Sequence, residues 1–193
     1  MGATTIVRRE LLIYQVITPA TTSLVSVADL KTHLLLFGDD SYDGELQDIL
    51  LTAENFISGF LDDFLVSTTV RVNFFAFGDT TLPHKEPQNI TVYYWDTNNT
   101  AQVWPSEKYV VDTSDVYPKI IYNSNPTGTS TKFANKGYIT YDTSLTHVPN
   151  KVRHAVLLIA SELFENRTQS ITGTIVAKYP LTAMRLMQSL RGW

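Results

Sequence analysis

Apolar residues recur along this chain with two different periods, and the changes between them mark out its regions. Val27, Leu30, Leu34 and Phe37 fall three or four apart, the spacing of one helix face. Ser26 stands before them with Asp29 three residues on, a capping box with Asp in the place of Glu. This predicts a short helix that Gly38 ends as a left-handed cap. Asp43 then caps a second helix, with Glu45 in its first turn facing the positive end of the helix dipole. That helix puts Leu46, Ile49, Leu50, Ala53, Phe56, Ile57 and Phe60 on one broad face, with Asp48 and Glu54 on the other. It is expected to finish near Asp62-Asp63, whose charge is unfavourable at the negative end of the dipole.

From Val66 to Phe77 the period becomes two: Val66, Thr68, Val70, Val72, Phe74 and Ala76 lie on one side, and Ser67, Thr69, Arg71 and Asn73 on the other. That is a strand with one wet face. Further strands are predicted at Ile90–Trp95, Ala101–Trp104, Tyr109–Asp112, Lys119–Tyr122 and Tyr138–Tyr141, separated by turn-rich stretches such as Asp96 to Asn99 and Asn123 to Gly128. The helical period returns after Pro149 with Val152, Val156, Ile159, Ala160 and Leu163, running to about Asn166. Gln169 to Tyr179 reads as a loop or extended arm, and Pro180 opens a last amphipathic helix with Leu181, Met184, Met187 and Leu190.

The expected fold is therefore α+β: a bundle of about four helices with a β-rich insertion between the second and third, preceded by an N-terminal extended segment. As one domain of 193 residues, it divides into an arm (1–23), a helical hairpin (24–65), the β insertion (66–147), a core helix (148–168) and a C-terminal arm and helix (169–193). A 44% hydrophobic content is enough for a real core. Arg8-Arg9 followed by Leu11 to Ile17 superficially resembles the start of a signal peptide, but the apolar run is short and broken by Gln15, so it reads as a strand. No apolar run approaches the roughly 20 residues of a membrane span, which predicts a soluble protein with no membrane partner.

There is no Cys, which excludes disulfides, thiolate metal sites and cysteine catalysis. Asp39, Ser41, Asp43 and Gly44 match the first, third, fifth and sixth positions of a calcium loop, but the twelfth, which should bring a bidentate carboxylate, is Leu50. Helix ends account for this acidity, and no metal is expected. His33, His84, His147 and His154 are scattered, and no nucleophile elbow or phosphate-binding glycine loop is present. The expectation is a protein without catalytic residues or cofactor. Charge is segregated: eight acidic and no basic residues lie between Gly38 and Leu65, whereas Asn166 to Trp193 holds four basic and no acidic ones. Such a split marks solvated faces, or surfaces that meet other subunits or repel DNA. The aromatic residues of the strands suit a two-sided sheet; exposed, they would instead form a platform for a sugar or a host surface.

The order of these elements resembles a known family. SVADLKTHLLLF, an acidic turn, LQDILLTAENFISGFL, a β region opening STTVRVNFFAF, VPNKVRHAVLLIASELFENR and a closing AMRLMQSLR are together similar to the head-tail connector, or adaptor, proteins of tailed bacteriophages, over about residues 24 to 191. Two departures are Thr4 to Thr22, longer than the family carries before its first helix, and Phe164 where Tyr is common. The resemblance implies a structural virion protein, made in the host bacterial cytoplasm and placed at the neck, in a commonly dodecameric ring below the portal. Such a ring extends the DNA channel and offers an attachment surface to the next neck, stopper or tail protein. DNA passes through without specific binding. It points to Pro180, Met184, Arg185, Met187, Leu190, Arg191 and Trp193 as a portal or subunit interface, and to Asp39, Asp40, Asp43, Glu45 and Asp48 as an acidic face toward the channel or a neighbouring subunit. The competing expectation is a β-rich ligand- or host-surface-binding module using exposed aromatics.

Overall fold

Among the described residues there are eight strands: β1 (Tyr14–Thr18), β2 (Thr68–Phe74), β3 (Thr80–Thr81), β4 (Pro87–Trp95), β5 (Ala101–Trp104), β6 (Tyr109–Asp112), β7 (Lys119–Tyr122) and β8 (Gly137–Thr143). Helical spacing gives α1 (Val27–Leu34), α2 (Asp43–Leu61) and α3 (Asn150–Glu165). The computed structural model describes residues 14–145, 148–166, 185, 186 and 188. They fall into two units, a β unit of residues 14–19 with Thr68–Thr143 and a helical unit of Ala20–Ser67 with the described residues from Ser144 onward.

In the β unit, β1-β2-β8-β4-β5 form one antiparallel sheet and β3-β7-β6 a second. Thr68, Val70, Val72 and Phe74 of β2 are buried while the residues between them are half-buried, as the alternation predicts. The sheets meet through Phe74, Phe77 and Tyr122, whose ring centroids lie 5.2–5.7 Å apart. Gly137 permits this closeness, because a Cβ there would lie 2.0 Å from the Tyr93 carbonyl oxygen and 2.6 Å from Phe74 Cζ. On the opposite face Tyr138 stacks on Tyr93 at 4.7 Å, with the Arg71 guanidinium 3.6 Å from the Tyr138 ring centroid. The turn predicted at Asp96 to Asn99 forms: Asp96 Oδ1 accepts the Asn98 and Thr100 N–H groups at 2.8 and 2.9 Å, and Asn99 takes φ 63°.

The helical unit closes around Val25, Leu30, Leu46, Leu50, Ala53, Ile57, Leu65, Leu145, Val152, Ala155, Val156, Ile159 and Ala160. The Ser26–Asp29 capping box is present, with Ser26 Oγ accepting the Asp29 N–H at 3.1 Å. Phe164 packs edge-on against Tyr42, ring centroids 5.8 Å apart.

This architecture overturns the expected four-helix bundle with a β insertion. Among the described residues there are three α-helices and eight strands in two antiparallel sheets. The strands carry enough alternating apolar surface to close a core of their own, and the N-terminal segment joins it: β1 pairs with β2, Val16 opposite Val70. Three local expectations are also corrected. α1 ends at Leu35, which takes φ 59°, rather than at Gly38, because the backbone bends as soon as the Leu34 turn is complete. Asp43 is the first helical residue of α2 and Tyr42 is the cap, with no side-chain hydrogen bond. Glu54 does not face solvent but is buried.

Candidate interaction surface

The α1–α2 turn sets two large apolar side chains in solvent. Leu35, held in the left-handed region, and Phe37 both point outward, 72% and 73% exposed. A left-handed cap normally takes Gly or Asn, so Leu35 is unfavourable there both in backbone and in solvation. Beyond them come the carboxylates of the predicted acidic face. Asp39 accepts the Ser41 N–H at 3.0 Å and the Ser41 hydroxyl, and these bonds hold its carboxyl below the usual range. Lys31, from the preceding helix, binds Asp40 at 2.6 Å and Asp43 at 2.5 Å. Its hydrogen bonds to Asp40 and Asp43 raise the ammonium's pKa, Asp40 contributing first. Asp40 and Asp43 are thus drawn together around one cation, with Asp39 held beside them by Ser41, leaving two of the three carboxylate charges in excess. Glu45 and Asp48 are exposed on α2 but, three residues apart, lie on a different side of the helix from Asp43.

Of the predicted C-terminal interface, Pro180, Met184, Met187, Leu190, Arg191 and Trp193 lie outside the described residues. Arg185 is exposed, and its neighbour Leu186 is half-buried against the helical core.

The sequence reading missed a buried carboxylate. Glu54 is 2% exposed, and its Oε1 accepts the Ser23 hydroxyl at 2.5 Å, the Leu24 N–H at 2.6 Å and the Val25 N–H at 3.3 Å. Its Oε2 has no hydrogen-bond partner in the protein. Burial pushes the carboxyl pKa up, against the lowering effect of these three bonds and of nearby Arg153. Arg153 donates to the Leu24 carbonyl at 3.0 Å and lies 3.8 Å from Asp29. The extended segment before α1 is therefore clasped from two sides, by α2 and α3. The signal was in the spacing: Glu54 is four residues after Leu50 and three before Ile57, both fully buried.

Beside this clasp a shallow groove of about 380 Å³ is lined by Val25, Asp29, Thr32, His33, Arg153 and Leu157. The His33 and His154 rings stand edge-on with centroids 6.2 Å apart. Among the described residues no three His, Asp or Glu side chains converge on a common point as a metal site would require, and no helix is long and apolar enough to cross a membrane. What these surfaces offer is contact: an exposed apolar pair, an acidic rim, and rigid support behind them.

Comparison with solved structures shows the same fold elsewhere. A chain in the virion of a native gene transfer agent particle superposes with TM-score 0.67 at 17% identity, covering 92% of this chain and 94% of that one. A chain in the neck of an empty gene transfer agent particle computed with C6 symmetry gives 0.65 at 21% identity, with 92% and 94% covered. A chain in the neck of the native particle computed with C12 symmetry gives 0.63 at 18%, with 92% and 93% covered. At such identities the likeness is one of fold. No protein-family model and no curated protein matches the sequence.

Proposed function

We propose that this chain is a structural component of the neck of a tailed-phage-like particle: a head-tail connector that forms a ring below the portal, extends the DNA channel and carries the next neck, stopper or tail protein. The observation that carries the reading is the end-to-end correspondence with a neck chain in a particle computed with C12 symmetry, over 92% of this chain and 93% of the other. Both units of the protein are included, so the likeness is not that of a common small motif. The C12 symmetry with which that neck was computed supports a ring, of twelve copies in this reading, at the neck of the virion. In this role the chain works as one connector domain over residues 1–193 and catalyses nothing. The acidic rim of Asp39, Asp40, Asp43, Glu45 and Asp48 serves the channel or a neighbouring subunit, where carboxylates keep DNA phosphates from sticking. The segment from Pro180 to Trp193, with Met184, Arg185, Met187, Leu190 and Arg191, serves the portal or subunit contact.

The competing reading, a binding module built on exposed aromatics, finds little support. Among the described residues the exposed aromatic side chains are Tyr14, Phe37 and Phe75, while those of the inner strands are buried or half-buried. The test is native mass spectrometry of the chain alone and mixed with its portal protein. A closed assembly on the portal is expected; free monomer at high concentration in both samples contradicts the proposal.

A further inference from the structure

We infer that the exposed Leu35–Phe37 turn is the docking site for the N-terminal segment of a second copy of this chain. The turn combines two large apolar side chains, 72% and 73% exposed, with Asp39, Asp40 and Asp43, whose three charges Lys31 offsets only in part. A complementary partner brings apolar side chains and two adjacent positive charges. Residues 1–13 lie outside the described part of the protein and contain that pattern: Ile6-Val7-Arg8-Arg9-Glu10-Leu11-Leu12-Ile13 places an arginine pair between two apolar runs. The basic residues of the C-terminal segment, Arg167, Lys178, Arg185 and Arg191, are never adjacent, and Leu186 is already engaged with its own core. The thirteen residues before Tyr14, the first residue of an edge strand, are enough chain to span at most about 45 Å at roughly 3.3–3.6 Å per residue. Arginine suits the site, since its planar fork pairs bidentately with carboxylates while the flanking apolar residues cover Leu35 and Phe37. The conformation of Leu35 fits the same role, as an unfavourable backbone and an exposed side chain are both retained where a contact recovers them.

The second copy rests on the ring reading above, and the test separates the two. The chain has no cysteine, so two full-length single-cysteine variants, Thr5→Cys and Ser41→Cys, can be mixed and mildly oxidised without background. The mixed disulfide dimer is expected to dominate over both self-pairs. Arg8→Asp with Arg9→Asp in the Thr5→Cys chain should lower its yield about tenfold, and Asp39→Arg with Asp40→Arg in the Ser41→Cys chain should restore it. Random pairing of the two variants overturns the inference. So does a cross-link that forms only within the Thr5→Cys, Ser41→Cys double variant, which places the segment on its own copy. Loss of the cross-link through Arg185→Glu with Arg191→Glu, but not through the Arg8, Arg9 change, assigns the turn to the C-terminal segment and also overturns it. Rings seen by native mass spectrometry alongside random pairing leave the connector reading standing without this contact; a specific mixed dimer without rings does the reverse.

Discussion

Replacing Glu54 by alanine is expected to destabilise the helical unit by about 2 kcal/mol, because one buried oxygen organises the chain before α1. The substitution removes the acceptor for the Ser23 hydroxyl and the Leu24 and Val25 N–H groups. The Leu24 N–H and the Ser23 hydroxyl, both half-buried, lose their acceptor at about 1–2 kcal/mol each, whereas the Val25 N–H keeps its 3.3 Å bond to Ser23 Oγ. The lost Cγ methylene adds about 0.8 kcal/mol. Against this stands relief of the carboxylate's own desolvation, which the unpartnered Oε2 makes substantial, on the order of 1–3 kcal/mol. The balance corresponds to a fall of roughly 4–8 °C in Tm for a chain of this size. Denaturant melts of wild type, Glu54→Ala and Glu54→Gln measure it, with amide hydrogen exchange at Leu24 and Val25 reporting the clasp directly. Glu54→Gln keeps the Oε1 acceptor and should cost less than about 1 kcal/mol. A loss below about 1 kcal/mol for Glu54→Ala, with unchanged exchange at both amides, would refute the reasoning.

The same carboxyl makes stability depend on pH. Burial raises the Glu54 pKa in the folded state above its ordinary 4.5, so its contribution is complete below that value and is lost as pH rises through the folded pKa; Glu54→Gln should flatten this slope in pH-dependent melts. Asp142 behaves in the opposite sense: hydrogen bonds from Asn89 and Thr69 hold its pKa down, so its contribution is present above 3.8 and lost as pH falls through the folded value. Asp142→Ala should cost about 1 kcal/mol near neutral pH and weaken the acid limb of the same melts. Gly137→Ala should cost about 3 kcal/mol or more, since the new Cβ meets the Tyr93 backbone oxygen at 2.0 Å and β8 is flanked by strands on both sides; a near-neutral melt contradicts the register described. Leu35→Gly should raise the stability of the isolated protein by about 0.5–1 kcal/mol while removing the apolar contact, so that thermal melts and cross-linking move in opposite directions.

Local pattern carried far in this sequence, and long-range pairing did not. β5, β6 and β7 fall where their β-branched and aromatic residues and the turn residues place them, because short β-prone runs bounded by Asn, Asp and Pro clusters have few other solutions. The capping box at Ser26 is likewise a four-residue signal that folds as it reads. By contrast, nothing local tells that Tyr14 to Thr18 pairs with β2, or that two sheets rather than a bundle will use the apolar surface, since register and layer choice are set by partners far along the chain. The acidic segment from Gly38 shows the same limit. It contains no base of its own, yet Lys31 reaches into it across the turn and neutralises part of what the sequence presents as a uniform face. Leu35 is harder still: Gly38, with φ 73°, also adopts a left-handed conformation, but the helix has ended three residues earlier at a side chain that composition gives no reason to expect there. Glu54 was the legible omission, a charged residue at apolar spacing whose burial is explained by three donors from a segment thirty residues away.

The central claim concerns where copies of this chain sit and how they are arranged. Electron-microscopic averaging of particle necks, with the chain carrying a small terminal label, tests it most directly. The account predicts a closed ring of label density stacked against the portal on the channel axis, matching the C12 or C6 symmetry with which the necks that hold chains of like fold were computed. Label found on the tail tip or the capsid shell, or particles with complete necks that lack it, would contradict the account.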